Sequence, residues 1–118
     1  MQYRELIAWQ KGMDLSVLIF KYTERLPDSQ RFVFVPQLQK AVISIPLNIA
    51  EGYGRSSKAD FARFIDIALG SAREVQTQLE LCERLGFADA TTERQLADEV
   101  GKILFGLAKS LRPPKSSP

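Results

Sequence analysis

Residues 61–82 carry Phe61, Ile65, Ala68, Ala72, Val75, Leu79 and Cys82 at alternating steps of four and three. Two apolar residues in every seven draw one apolar stripe along a helix, the pattern of helices that cross at a shallow angle. Such a stripe needs other helices to cover it, and the rest of the 118-residue chain supplies candidates. Leu6, Trp9, Met13, Val17 and Phe20 recur at helical steps before Pro27, with Leu15, Leu18, Tyr22 and Leu26 as a second line beside them. A second helix begins near Pro36 and carries Leu38, Val42, Ile45 and Ile49; its stripe crosses Pro46 without a break, which predicts a kink and not two helices. Gly52-Tyr53-Gly54 is expected to close it. The third helix opens on Ser57-x-x-Asp60, an N-cap with an acidic third position, and ends at Leu85-Gly86. The fourth is expected to open at Thr92 with Gln95 completing a capping box. It runs along Leu96, Val100, Ile103, Leu107 and Leu111, widened by Leu104 and Phe105, to Pro113.

Short connections between long helices predict an all-α fold, an antiparallel up-down four-helix bundle with a kinked second helix over residues 1–112. Phe32 to Val35 has strand propensity, but a lone strand would leave its backbone unpaired, so a turn with docked aromatics is expected. Residues 113–118 contain no apolar side chain and read as a disordered tail. The first two helices carry more apolar residues than one face needs (Leu15, Leu18 and Tyr22; Ile43 and Leu47). The surplus points to burial between subunits, with a broad core face under the 27–35 segment as the alternative.

Composition removes several chemistries. The chain has no histidine and one cysteine, so Ser-His and Cys-His pairs, histidine metal centres, cysteine-rich zinc sites and disulfide frameworks are excluded. The N-terminus is charged throughout and the longest apolar runs are four residues, so neither a signal peptide nor a membrane span is expected and a cytoplasmic protein is the default.

A polar line, Ser44, Asn48, Glu51 and Arg55, runs along the second helix, and Ser71, Glu74 and Gln78 share a face of the third. They are read as hydrogen-bonded groups at helix crossings, since buried polar atoms need partners. A di-metal bundle site would need Glu-x-x-His motifs that are absent, and no cofactor, metal ligand set or catalytic residue is expected. Gly52-Tyr53-Gly54-Arg55 lacks both phosphate-loop patterns and reads as a turn. Gly70, in mid-helix, is expected to mark tight packing around Ala68 and Ala72; Trp9 and the phenylalanines are read as core, and Cys82 as a buried inert thiol. Net charge is only +2, but Arg31, Lys40, Arg55 and Lys58 oppose Glu51 alone in residues 31–58, and residues 100–118 hold no acid. A basic surface around helix two and the C-terminal end follows, or else a solvated mixed-charge surface.

The run from Ser44 to Arg55, SIPLNIAEGYGR, resembles the SIPxNIAEGxGR signature of the bacterial 23S rRNA-intervening-sequence proteins. Trp9-Gln10-Lys11, Leu26-Pro27, Gln37-Leu38, Phe61-x-x-Phe64 and Ala68-Leu69-Gly70-Ser71 with Glu74 agree in order, so the likeness spans about residues 5 to 111. The resemblance implies a bundle assembling as a homopentamer, cytosolic and without an established activity. A related, strongly basic branch, the accessory proteins of diversity-generating retroelements, binds nucleic acid; here Gln39 stands beside Lys40 where the family commonly has two basic residues.

The expected role is a non-enzymatic, homo-oligomeric scaffold with itself as partner, associated with RNA or DNA through Lys40, Arg55, Lys58, Lys109 and Arg112. The alternatives are a protein–protein interaction module and a small-ligand binder or enzyme using Glu51, Glu74 and Arg55.

Overall fold

The computed structural model describes residues 1–113; beyond Pro113, the expected tail lies outside the described residues. A 3-10 turn at Tyr3–Glu5 leads into α1 (Ile7–Thr23), a second turn at Asp28–Gln30 into α2 (Phe34–Tyr53), then α3 (Lys58–Arg84) and α4 (Thr91–Ser110). There is no strand among the described residues. Each helix packs antiparallel on the next and α1 closes against α4, giving the up-down four-helix bundle. Ser44 meets Ser71 across α2 and α3, Arg94 meets Glu83 across α3 and α4, and the Tyr22 hydroxyl donates to the Ala88 carbonyl at 2.9 Å.

The α3 stripe faces inward as its spacing requires: Ile65, Ala68, Ala72, Val75, Leu79 and Cys82 are fully buried and Phe61 packs at the margin. Ser57 caps this helix by accepting the Asp60 N–H at 3.1 Å. Its far end is closed by Gly86 at φ +75°, a left-handed position where glycine carries no Cβ penalty.

The faces of α1 and α4 differ from expectation. On α1 the supposed surplus line is the core: Leu15, Ile19 and Tyr22 are buried, while Met13, Val17 and Phe20 point outward. The reason is the close approach of α2. Gly12 lies on the buried face, where a Cβ would stand 3.1 Å from Ile45 Cγ2 and 3.6 Å from Pro46 Cδ, so only this face lets the helices come together. On α4 the buried line is Glu93, Ala97, Val100, Gly101, Leu104 and Ala108. Leu96, Ile103 and Leu107 are half-buried flanks, and Phe105 is 56% exposed. The Thr92–Gln95 capping box does not form. Helix α4 starts one residue earlier, with Ala90 at the cap and its N–H donated to Glu83 Oε2 at 2.9 Å.

Helix α2 passes through Pro46 as one helix. Proline has no N–H, so the Val42 carbonyl loses its usual donor. The Ser16 hydroxyl of α1 reaches that carbonyl at 3.3 Å, while also lying 2.8 Å from the Gly12 carbonyl. In the 27–35 segment the docked aromatic is Phe34, edge-on to Phe87 with centroids 6.1 Å apart. Phe32 is 87% exposed because it precedes the helix and nothing covers it. Phe20, Phe32 and Phe105 are therefore not core, contrary to the reading of the phenylalanines by spacing.

Candidate functional site

The residues of the Ser44–Arg55 run fall into two groups. The first is a polar seam between α2 and α3. Ser44 Oγ and Ser71 Oγ share a hydrogen bond of 2.9 Å, and Asn48 Nδ2 donates to the Ser44 carbonyl at 2.8 Å and to Ser44 Oγ at 3.0 Å. Ser71 is buried, and its hydroxyl is satisfied by this partner, as a structural crossing group must be.

The second group closes the α2–α3 turn. Gly52 is buried in the last turn of α2, where a Cβ would stand 2.6 Å from Phe64 Cβ and 3.0 Å from Phe61 Cδ1. Its role is this contact, not the ending of the helix, which runs on through Tyr53. Arg55 bonds Glu51 at 3.0 Å, lies 3.8 Å from Asp60, and places its guanidinium 4.7 Å from the centre of the Phe64 ring. Arg63, bonded to Asp60, covers the same ring at 4.8 Å. Two guanidiniums thus pack on one aromatic ring at this turn.

Gly70 and Glu74 do not join these groups. Gly70 is exposed, and a Cβ there would meet nothing within 4 Å, so it is not a site of tight packing inside the bundle. Glu74 is exposed on α3. The Ser44–Ser71 contact sets the register of two antiparallel helices, so Glu51 and Glu74 lie on opposite sides of it, about 15 Å apart along the axis. The structure thus does not assemble Glu51, Glu74 and Arg55 into one pocket. Among the described residues no group of three or more acidic or cysteine side chains has metal-binding geometry.

The basic residues divide too. Arg55, Lys58, Lys109 and Arg112 gather at the end of the bundle where α2 finishes, α3 starts and α4 finishes. Arg112 is held by Asp66 of α3, whose hydrogen bond pushes the guanidinium pKa further up. Lys40, fifteen positions before Arg55 on α2, lies about 20 Å away along the axis and is not part of this group.

Two features were not read from the sequence as sites. Cys82 and Tyr22 are both fully buried against one another; burial pushes the thiol pKa up, and burial with the neighbouring thiol pushes the phenol up. The Cys82 thiol is therefore the inert group expected. The second feature is a cleft of about 260 Å³ between α3 and α4, lined by Leu69, Arg73, Gln76, Asp98, Gly101, Lys102 and Phe105. The small residue Gly101 between two larger neighbours was the available signal for it. No helix among the described residues is long and apolar enough to cross a membrane.

Comparison with known proteins agrees with this architecture. A protein of unknown function from the S23 ribosomal protein family of Bacteroides thetaiotaomicron, known from its crystal structure, is 28% identical, superposes with a TM-score of 0.80, and is matched over 87% of this chain and 96% of its own. None of the curated proteins compared matches the chain. Residues 4–109 match the family described as 23S rRNA-intervening sequence protein, which takes in every helix but the last residue of α4. The chain belongs to the 23S rRNA-intervening sequence protein family.

Proposed function

We propose that the chain is the protomer of a homo-oligomeric, non-enzymatic bundle scaffold, pentameric on the family resemblance. One observation carries the reading. Met13, Val17 and Phe20 on α1 are 40%, 56% and 41% exposed, and Ile43 and Leu47 on α2 are 40% and 62% exposed. The contacts of Gly12 with Ile45 and of Ser16 with Val42 set the register of these two helices, so Met13 stands level with the stretch between Ile43 and Leu47. Single exposed apolar residues are ordinary on a protein surface; five at helical spacing on two adjacent helices form a continuous patch of the kind that marks an interface. The face that is exposed is not the one expected from the sequence on α1, but a surplus remains on both helices. In sedimentation velocity the protein is expected to run as a multimer, and Leu47→Glu as a folded protomer with an unchanged helical circular dichroism spectrum. A wild-type protein that sediments as a single protomer overturns the reading.

The cluster of Arg55, Lys58, Lys109 and Arg112 at one end supports a second reading, association with RNA or DNA. Copies arranged side by side around a symmetry axis would bring these ends together on one face, making a modest patch multivalent. Glu51, Asp60 and Asp66 offset Arg55 and Arg112, which leaves Lys58 and Lys109 as the free cations of the four among the described residues. Filter binding is expected to retain RNA at low salt and release it steeply as salt rises, because each neutralised phosphate releases a counterion. Lys58→Ala with Lys109→Ala is expected to abolish retention; no retention by the wild type at low salt removes this half of the proposal.

A further inference from the structure

The end of the bundle where α2 finishes gathers aromatic rings as well as cations. The N-terminal segment is pinned across it: the Tyr53 hydroxyl donates to the Met1 carbonyl at 3.1 Å, and Gln10 Nε2 donates to the Arg4 carbonyl at 2.9 Å. Tyr3 stands edge-on to Trp9 with centroids 5.4 Å apart, and at the same end Tyr53 stands edge-on to Phe61 at 5.8 Å. All four rings are half-buried, so each is anchored by the fold and still reaches solvent. We propose that Tyr3, Arg4 and Trp9 form a base-stacking platform for an unpaired polynucleotide strand whose phosphates lie on Lys58 and Lys109. This rests on the reading of this end as a nucleic-acid surface, and it names the form of nucleic acid that the surface takes.

Arg4 carries the argument. Among the described residues four arginines lie on aromatic rings, and three of them are also held by a carboxylate. Arg25 over Tyr22 is bonded to Glu93, Arg55 over Phe64 to Glu51, and Arg63 over Phe64 to Asp60. The Arg4 guanidinium lies 5.6 Å from the centre of the Tyr3 ring and 5.8 Å from that of Trp9. It is exposed and has no ion pair among the described residues. The carboxylates of this end are engaged elsewhere: Glu51, Asp60 and Asp66 by Arg55, Arg63 and Arg112, and Glu5 by the Gln2 N–H at 2.8 Å. A guanidinium beside two rings, free of any carboxylate, offers what a nucleotide needs, a cation for its phosphate and flat surfaces for its base.

The arrangement favours a single strand over a duplex. In a duplex the base faces are stacked on one another, and the open edges are read by a helix or ribbon laid in a groove. This end presents turns instead, Tyr3–Glu5 and the connection from α2 to α3, with rings beside them. Every base of an unpaired strand has a free π-face, and stacking on aromatic rings and arginine is how such strands are held. A polyanion without bases would use the cations and leave the rings idle.

Trp9 is the only tryptophan of the chain, so its fluorescence reports directly on the platform. The full-length protein is titrated at low salt with oligouridylate and oligothymidylate of about ten nucleotides, with a duplex of the same length, and with inorganic polyphosphate. A single strand is expected to quench the Trp9 emission by more than half and to bind about tenfold more tightly than the duplex. The duplex and polyphosphate are expected to leave the emission unchanged. Quenching by oligouridylate alone assigns RNA, by oligothymidylate alone DNA, and by both a strand taken without regard to its sugar. Tyr3→Ala and Arg4→Ala, each checked for native helicity, are expected to lose about tenfold in single-strand affinity and to retain the duplex on filters as the wild type does. If single strands are retained with the Trp9 emission undisturbed and no preference over the duplex, the stacking platform is wrong while the charge of this end still binds nucleic acid. If no nucleic acid is retained at low salt, this proposal falls together with the reading it rests on.

Discussion

Gly52→Ala is expected to lower the unfolding free energy by about 2 to 3 kcal/mol, read as a fall in the urea midpoint at constant m-value. Replacing glycine in a helix would ordinarily gain about 1 kcal/mol. Here the new methyl would stand 2.6 Å from Phe64 Cβ, an atom fixed to the α3 backbone that no rotamer change can move. Relief requires α2 and α3 to separate at that end, which loosens the Arg55 and Arg63 guanidiniums from the ring they cover. The clash is at Cβ, so trimming the ring by Phe64→Ala in the same chain does not rescue stability. If Gly52→Ala melts at or above the wild-type temperature, the close approach described for this turn is wrong.

Alkaline pH is expected to destabilise the protein through Cys82 and Tyr22. Burial raises both in the folded state, while unfolding returns the thiol to about 8.5 and the phenol to about 10. Above these values the unfolded chain releases protons that the folded chain keeps, so stability is full below about pH 8.5 and falls as pH rises. Within its window each group contributes about 1.4 kcal/mol per pH unit, so the fall begins with the thiol and steepens above about pH 10, where the phenol joins it. The Tyr22 hydroxyl must also stay protonated to donate to the Ala88 carbonyl. Urea titrations from pH 8 to 11 measure the slope. Cys82→Ala is expected to remove the part that begins near pH 8.5, and Tyr22→Phe the part that begins near pH 10; a double variant with the wild-type slope would contradict the assignment.

The helices that were legible were those whose signals are local. Ser57 caps α3 because its side chain needs only the N–H three residues on, and the α3 stripe is long enough that one face alone can be inside. The facing of α1 was not legible from spacing, because both of its apolar lines repeat at helical steps. The choice is made by α2: Gly12 must lie against Ile45 and Pro46, and a glycine on one line was the cue that this line approaches a neighbour. On α4 the small residues Ala97 and Ala108 lie on the inward face and the larger Leu96, Ile103 and Leu107 flank it. The start of α4 was misplaced because the N–H of its cap residue Ala90 is served by Glu83 of α3, a partner that a local capping pattern does not contain. Of the candidate site, Ser44, Asn48 and Ser71 were legible as crossing groups. The separation of Glu74 from Glu51 was not, since it depends on the register of two antiparallel helices.

The gap that Pro46 leaves in the hydrogen-bond ladder of α2 has a consequence for how the molecule forms. The Val42 carbonyl is served by Ser16, a residue twenty-six positions earlier on another helix. Alone, α2 would hold that oxygen in water and fray at its middle; with α1 in place it is sealed. The first two helices are thus expected to form and open as a single cooperative unit, a hairpin in which α1 completes the backbone of α2.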